Sequence, residues 1–196
     1  MKHALVGVSK IFLATIAIAA ACLLAVPAPA PAATSSCADA DALPLSVSQQ
    51  TFNATITCVL NAERTSRGLR ALRSNSKLES AAFGHSTSMR LGGYFEHNDP
   101  SGTTARSRVL ASGYGRGARR WTIGENLGWG ESELGSPRAL VATWMNSPTH
   151  RAVLLQPRFR EIGVGVDWGS PIDPNASAAT VTTDFGQVKR RKGQRH

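Results

Sequence analysis

Three residues of the chain, His97, Glu125 and His150, combine side chains that can do chemistry with neighbours that would fix their position. His97 comes shortly after the aromatic pair Tyr94-Phe95, and Glu125 follows a glycine. His150 lies in the stretch WMNSPTHR. Two imidazoles and one carboxylate can hold a metal ion such as zinc and leave one position open for water. Without a metal, the same three groups can move protons as an acid–base set.

Familiar catalytic motifs are absent from the sequence. There is no Walker A loop and no HExxH, CxxC or GxSxG segment, and the glycines of GYGRG lack the strand–turn–helix frame of a dinucleotide site. No serine or cysteine stands out as a nucleophile. The two histidines and the glutamate are therefore the candidate site.

The position of His150 can be interpreted from the residues before it. Ser147 suits the N-cap of a helix and Pro148 its first position, which places His150 third in the first turn. The helix dipole disfavours a positive ring there, so we expect the pKa of His150 to be lowered and the ring to be neutral near pH 7. The alternative is that His150 only hydrogen-bonds its surroundings.

The elements that must position these residues begin with helices. Apolar spacing and capping residues predict helices over about 48–67, from 76 to the glycine pair 92–93, over about 104–111, and after the Ser-Pro pairs at 136–137 and 147–148. His85 shares the apolar face of the second of these helices. We interpret His85 as a core histidine rather than a site residue.

Strands are predicted late in the chain. Apolar residues alternate over 162–168 and again over 181–185, and a loop rich in Pro, Asn and Ser joins the two segments, which is typical of a long-looped hairpin. The stretch WTIGENLGWG is interpreted as a loop or a short strand. Helices first and strands late, without βαβ alternation, predict an α+β sandwich rather than a doubly wound sheet.

The N-terminus predicts export. Lys2 and Lys10 precede an apolar run over 11–26 and a Pro/Ala segment, a pattern typical of a signal peptide over 1–32. An uncleaved anchor and lipid attachment at Cys22 are the alternatives. We expect a secreted or cell-envelope-associated protein with an extended arm over 33–46, one domain over 47–188, a basic tail over 189–196, and no transmembrane segment after cleavage.

The predicted export indicates how the cysteines pair. After cleavage, Cys37 and Cys58 remain, and an even pair outside the cytoplasm predicts one disulfide. Cys58 points away from the apolar stripe of the first predicted helix. The bond would therefore hold the N-terminal arm across the outside of that helix.

The positive charge is concentrated at the two ends of the chain. The net charge is +9, and without Lys2 and Lys10 it is +7. The tail over 189–196 carries five further cations and no acid, which leaves +2 for residues 33–188 and argues against nucleic-acid binding. We expect the tail to contact an anionic envelope polymer or phospholipid, or to be solvated without a partner.

A set of short segments in a fixed order resembles one protein family. The segments are NAERTSRGL, LESAAFGHSTSM, GYFEH, DPSG, GENLGWG, ALVATWMNSPTHRAVLL, FREIGVGVDW and DFG. Their order and spacing resemble the bacterial branch of the CAP superfamily, which groups cysteine-rich secretory proteins, antigen 5 and pathogenesis-related proteins. The resemblance covers about residues 48–188.

This resemblance implies both a fold and a site. It implies an α–β–α sandwich with a small central antiparallel sheet between helices, and a cleft where two histidines and two glutamates meet. His97, Glu125 and His150 match three of those four positions, and Ser147 stands where the family has its second glutamate. Since the histidines hold zinc in some members, His97 and His150 are the expected metal ligands, with Glu125 as a third.

Two functions follow from the resemblance. We expect a monomeric binding module whose cleft or surface takes a lipid, another envelope component or a divalent metal, because the superfamily includes members that bind lipids or sterols. The alternative is a metal-assisted, peptidase-like hydrolase in which Glu125 activates water between His97 and His150. An assay of hydrolysis in variants of His97 and Glu125 separates the two.

Overall fold

A computed structural model describes residues 37–189 and contains five helices and four strands. The helices are α1 Gln49–Thr65, α2 Ser76–Gly92, α3 Ala105–Ala111, α4 Pro137–Asn146 and α5 Pro148–Leu154. The strands are β1 Arg73–Ser74, β2 Arg120–Glu131, β3 Glu161–Trp168 and β4 Ala178–Lys189, in the spatial order β1-β3-β4-β2. The predicted signal peptide and all but the first residue of the predicted tail lie outside the described residues.

The helices begin and end as their sequences predict. The Ser48 hydroxyl accepts a hydrogen bond from the Thr51 amide at 3.1 Å at the start of α1. Asn75 caps α2 in the same way, and α2 ends at Gly93, whose φ of 67° is left-handed and favours glycine. All five predicted helices are confirmed.

The hairpin of β3 and β4 is confirmed, but the interpretation of WTIGENLGWG as a loop or short strand is wrong. β2 runs for 12 residues and pairs antiparallel with β4 along its whole length. The usual alternation of apolar and polar residues is missing from β2 because glycines occupy the face that meets the helices. A Cβ at Gly124 would contact Val153 and Phe159, and one at Gly128 would contact Trp144. β1 adds a two-residue parallel pairing with β3 to an otherwise antiparallel sheet.

Helices cover both faces of the sheet. On one face α1 and α4 pack a core against β3 and β4, which includes Phe52, Ile56, Leu60, Trp144, Ile162, Val164 and Phe185. On the other face α2 lies directly over Gly163 and Gly165 of β3. This arrangement confirms the predicted α–β–α sandwich.

The N-terminal arm is bonded to this body. Cys37 and Cys58 form the predicted disulfide, with 5.9 Å between their Cα atoms, and Cys58 is exposed on the outside of α1. Residues 37–46 of the predicted extended arm form consecutive turns. Ala40 is buried, and its carbonyl accepts a hydrogen bond of 2.8 Å from the Arg138 amide.

Among residues 37–189, no helix combines the length and apolar character needed to cross a membrane.

Candidate functional site

The loop after α2 brings His97 to the middle of β2. The ring nitrogen Nδ1 of His97 lies 2.8 Å from Oε1 of Glu125. The Glu125 side chain is 4% exposed and the His97 side chain 57% exposed. A buried carboxylate therefore holds an imidazole whose other edge is open to solvent.

Arg108 of α3 holds the other side of the same carboxylate. Its Nη2 donates to Oε2 of Glu125 at 2.7 Å and to the His97 carbonyl at 3.0 Å, and its Nη1 donates to the Thr103 carbonyl at 3.1 Å. The guanidinium thus fixes Glu125 and the loop that carries His97 together. Both oxygens of Glu125 are engaged.

These contacts set the charges of the pair. The hydrogen bond that His97 donates to Glu125 raises the pKa of His97 above its ordinary value, and this effect exceeds the opposing effect of burial. Burial alone would raise the pKa of Glu125, but the hydrogen bond from His97 and the charge of Arg108 bring it below its ordinary value. The pair is therefore a carboxylate and an imidazole that tends to carry a proton.

His150 lies on the other side of β2, which is an edge strand of the sheet. Its Nδ1 lies 2.9 Å from the Ser147 hydroxyl, and the Asn126 side-chain amide donates to its backbone carbonyl at 3.1 Å. Ser147 occupies the predicted N-cap position, but its hydroxyl is engaged by His150 and caps no backbone amide. The serine at the second-glutamate position therefore orients His150.

The pKa of His150 is lowered, as expected, although the physical cause differs from the expected one. Burial has the largest effect, followed by the positive charge of His97. His97 therefore tends to be charged, and His150 tends to be neutral.

These residues do not form the expected three-ligand metal site. Within the described part of the chain, no group of three or more His, Cys, Asp or Glu side chains is arranged to hold a metal ion. Each oxygen of Glu125 already accepts a charge-assisted contact, from His97 or from Arg108, so a metal ion there would compete with these two partners. Zinc held by His97 and His150 stays a prediction.

Sequence reasoning missed Arg108 and Asp184. Asp184 lies directly opposite Glu125 in the β2–β4 register and is fully buried, and both of its carboxyl oxygens lack a hydrogen-bond partner among residues 37–189. Burial, together with the charge of Glu125, raises the pKa of Asp184 well above its ordinary value, which favours the neutral carboxyl. Neither residue is marked by its neighbours in the sequence, because both join the site through packing and strand register.

The interpretation of His85 as a core histidine is confirmed. The ring is fully buried, and its Nε2 lies 3.0 Å from the Glu96 carbonyl, next to His97. Burial lowers the pKa of His85, and the charge of Arg108 adds to that effect. His85 thus supports the His97 loop from beneath.

The greater part of the chain matches a known protein family. Residues 58–171 match the family model described as CAP, the cysteine-rich secretory protein family, and these residues are more than half of the chain. The chain belongs to the CAP family. The expected resemblance is thereby confirmed.

Two curated relatives of the CAP chain come from Bacillus subtilis (strain 168). Uncharacterized protein YkwD is 34% identical over 128 residues, which cover 65% of this chain and 46% of that protein. Uncharacterized membrane protein YlbC is 32% identical over 119 residues, which cover 61% of this chain and 32% of that protein. This chain therefore spans less than half the length of either relative.

Solved structures share the fold. An extracellular protein containing an SCP domain from Bacillus anthracis str. Ames is 24% identical with a TM-score of 0.57, and the match covers 74% of this chain and 44% of that one. An outer surface protein from Borrelia burgdorferi is 17% identical with a TM-score of 0.57, and the match covers 74% of this chain and 97% of that one. At these identities the likeness supports the fold alone.

Proposed function

We propose that this CAP-domain protein is exported and binds a ligand in the cleft between His97 and His150 rather than catalysing turnover. The observation that carries the proposal is the double engagement of Glu125, at 2.8 Å by His97 and at 2.7 Å by Arg108. A general base needs a lone pair within reach of the proton that it removes. A carboxylate already shared between two donors is better suited to orient a binding residue.

The chemistry of the cleft favours a ligand with an acceptor or anionic group. Among residues 37–189, no hydrogen bond engages the Nε2 atom of His97 or of His150, so both atoms can meet a ligand. A protonated His97 would donate a charge-assisted hydrogen bond, and a neutral His150 could donate or accept. A lipid headgroup or another envelope component carries suitable groups.

A divalent metal is the third ligand class that we propose for the cleft. Both rings would have to be neutral to bind it, and the pair with Glu125 works against this state at His97. We therefore expect weak zinc binding. Calorimetry near pH 7.5 should detect binding that is lost in both His97→Ala and His150→Ala, and equal binding in either variant would rule out this ligand pair.

The alternative is a peptidase-like hydrolase. The observation in its favour is the carboxylate–imidazole pair, because a carboxylate that orients a histidine also occurs in acid–base catalysis. The test compares the wild type with His97→Ala and Glu125→Gln on a broad peptide and ester library, with and without zinc. We expect no turnover, whereas hydrolysis that is lost in both variants would establish the hydrolase.

Export is part of the same proposal. It is supported by the leader-like segment over 1–32, by the disulfide between Cys37 and Cys58, and by the extracellular description of the B. anthracis neighbour. Fractionation of an expressing bacterium with N-terminal sequencing tests it. We expect a mature N-terminus near residue 33, whereas full-length protein retained in the cytoplasm would contradict export.

A further inference from the structure

A row of cations crosses one end of the sheet, away from the His97 cleft. In the strand register, Arg73 of β1 lies beside Glu161 at the start of β3, and Arg120 of β2 lies beside Lys189 at the end of β4. Arg160 immediately precedes β3 and donates its amide to the Gly186 carbonyl of β4 at 2.9 Å. All four strands therefore place cations at the same end, which we term the basic end.

Two adjacent hollows lie at the basic end. The larger, of about 410 Å³, is lined by four cations: Arg73, Lys77, Arg116 and Arg160. The smaller, of about 310 Å³, is lined by three: Arg120, Arg158 and Lys189. Gln187 lines both hollows, so they are neighbours along one path over the surface.

Two of these cations are held in position. Nη1 of Arg160 donates to the carbonyls of Pro157 at 2.6 Å and Phe159 at 2.7 Å, and Nζ of Lys77 donates to the Gly113 carbonyl at 3.3 Å. Trp121 lines the smaller hollow, and the guanidinium of Arg106 lies 4.1 Å from the centre of its ring. The hollows are thus partly preorganised.

The positive charge of the basic end is not neutralised within the described chain. Among residues 37–189, none of the seven lining cations forms an ion pair. Glu161 is the one acid that lines either hollow in that part of the chain, and its oxygens accept from Asn75 at 3.2 Å and from Tyr114 at 2.8 Å. Residues 37–189 carry a net charge of +3, so the seven cations at one end make the distribution of charge strongly asymmetric.

From these features we infer that the basic end binds a chain of phosphate groups, namely an inorganic polyphosphate. Guanidinium groups bind phosphate oxygens in pairs, and a repeating polyanion can fill both hollows with consecutive phosphates. The sequence continues from Lys189 with Arg190, Arg191, Lys192 and Arg195, so further cations follow directly in the chain.

A flat membrane surface fits the basic end less well. Eight large apolar residues of the described chain are exposed, and none lines either hollow: Leu43, Leu45, Phe83, Leu91, Phe95, Leu110, Leu134 and Ile172. Proteins that dock on bilayers usually combine cations with inserted apolar side chains. A soluble polyanion requires only the cations.

This inference does not depend on the proposed cleft function, because His97, Glu125 and His150 line neither hollow.

The test measures binding of the full chain to inorganic polyphosphate of about 50 units, with orthophosphate and phosphatidylglycerol vesicles as separate arms. The variant Arg73→Gln/Arg116→Gln removes two exposed cations whose side chains form no hydrogen bond or ion pair within residues 37–189. The matched control is Arg67→Gln/Arg151→Gln, which removes the same charge from another surface.

We expect polyphosphate affinity to fall about tenfold in Arg73→Gln/Arg116→Gln, with a shallower dependence on salt, and to change less than about twofold in the control. Arg120→Gln/Arg158→Gln should weaken polyphosphate binding similarly. Equal losses in the control would show that net charge alone matters and would overturn the inference. Binding to vesicles but not to polyphosphate, or loss of all affinity on removal of residues 190–196 alone, would also overturn it.

Discussion

At the residue scale, two neighbouring carboxyl groups have pKa values that are shifted in opposite directions. Glu125 and Asp184 face each other across β2 and β4, and like charges placed directly opposite destabilise a sheet. Arg108 and His97 neutralise Glu125, whereas Asp184 is buried without a cationic partner within hydrogen-bonding distance in residues 37–189. The raised pKa of Asp184 favours its neutral form beside an ionised Glu125, which reduces this repulsion.

The substitution Asp184→Asn tests the neutral state of Asp184. The pKa of Asp184 is higher in the folded chain than in the unfolded chain, so above about pH 4 the unfolded chain binds fewer protons. The wild type therefore loses stability as the pH rises toward the folded-state pKa of Asp184. The asparagine variant lacks this loss, so its stability relative to the wild type should increase with pH.

Denaturant unfolding between pH 4.5 and pH 8 measures this difference, and the same change at the exposed Asp39 is the matched control. A difference that shrinks with rising pH, or that changes sign to favour the wild type at pH 8, would mean that Asp184 is ionised in the fold.

Arg108 and Asp184 show why only part of the site could be predicted. His97, Glu125 and His150 were found from local neighbours and from the order of known segments. Arg108 joins them only because α3 packs over β2, and Asp184 only because β4 pairs with β2 in one register. Contacts that depend on register are set by the whole sheet and leave no mark on the adjacent sequence.

At the element scale, the sandwich depends on a close approach between α2 and β3. An added Cβ at Gly163 would collide with the α2 backbone at Leu78 and Glu79, and one at Gly165 would collide with it at Ala82 and Phe83. The helix can therefore lie against the strand only where glycine is present. This contact also fixes the position of the loop that carries His97 relative to the sheet, because that loop follows α2.

The substitution Gly163→Ala should destabilise the fold by about 3 kcal/mol, because the methyl group has no space to enter. Gly84 in α2 is the matched control, since it is exposed and no atom lies within 4 Å of an added Cβ. Gly84→Ala should stabilise the protein by about 0.5–1 kcal/mol through helix propensity. Denaturant unfolding measures both, and similar effects of the two changes would contradict the close packing.

Glycine also explains the one element that was misjudged. A typical half-buried strand alternates apolar and polar residues, but one face of β2 carries Gly124, Gly128 and Gly130 against helices or a tight turn. Bulky side chains from the neighbouring helices fill that space instead. The helices were predicted well because their caps and apolar stripes are local features.

At the scale of the whole molecule, the N-terminal arm is attached to two helices, to one of them by the disulfide. Cys37 bonds to Cys58 on α1, and the turn that follows places Ala40 and Asp41 against Arg138 of α4. The arm thus closes one side of the sandwich. The pair of cysteines was sufficient to predict the bond to α1, whereas the contact of the arm with α4 was not predicted.

Replacing both cysteines, as Cys37→Ala/Cys58→Ala, should lower the free energy of unfolding by about 3 kcal/mol, because a loop of 21 residues is no longer closed in the unfolded chain. Calorimetric or denaturant unfolding measures the loss. The wild type treated with reductant serves as the control and should approach the variant. A variant as stable as the oxidised wild type would show that the arm contributes nothing.

The central claim is that ionised Glu125 fixes His97 as the ring that tends to be charged, whereas His150 tends to be neutral. The most direct measurement is an NMR titration of both imidazoles in the wild type and in Glu125→Gln. We predict a pKa for His97 above its ordinary value of about 6.5, a fall of that pKa in the variant, and a His150 pKa below the ordinary value. A His97 pKa at or below the ordinary value in the wild type, or one unchanged in Glu125→Gln, would contradict the claim.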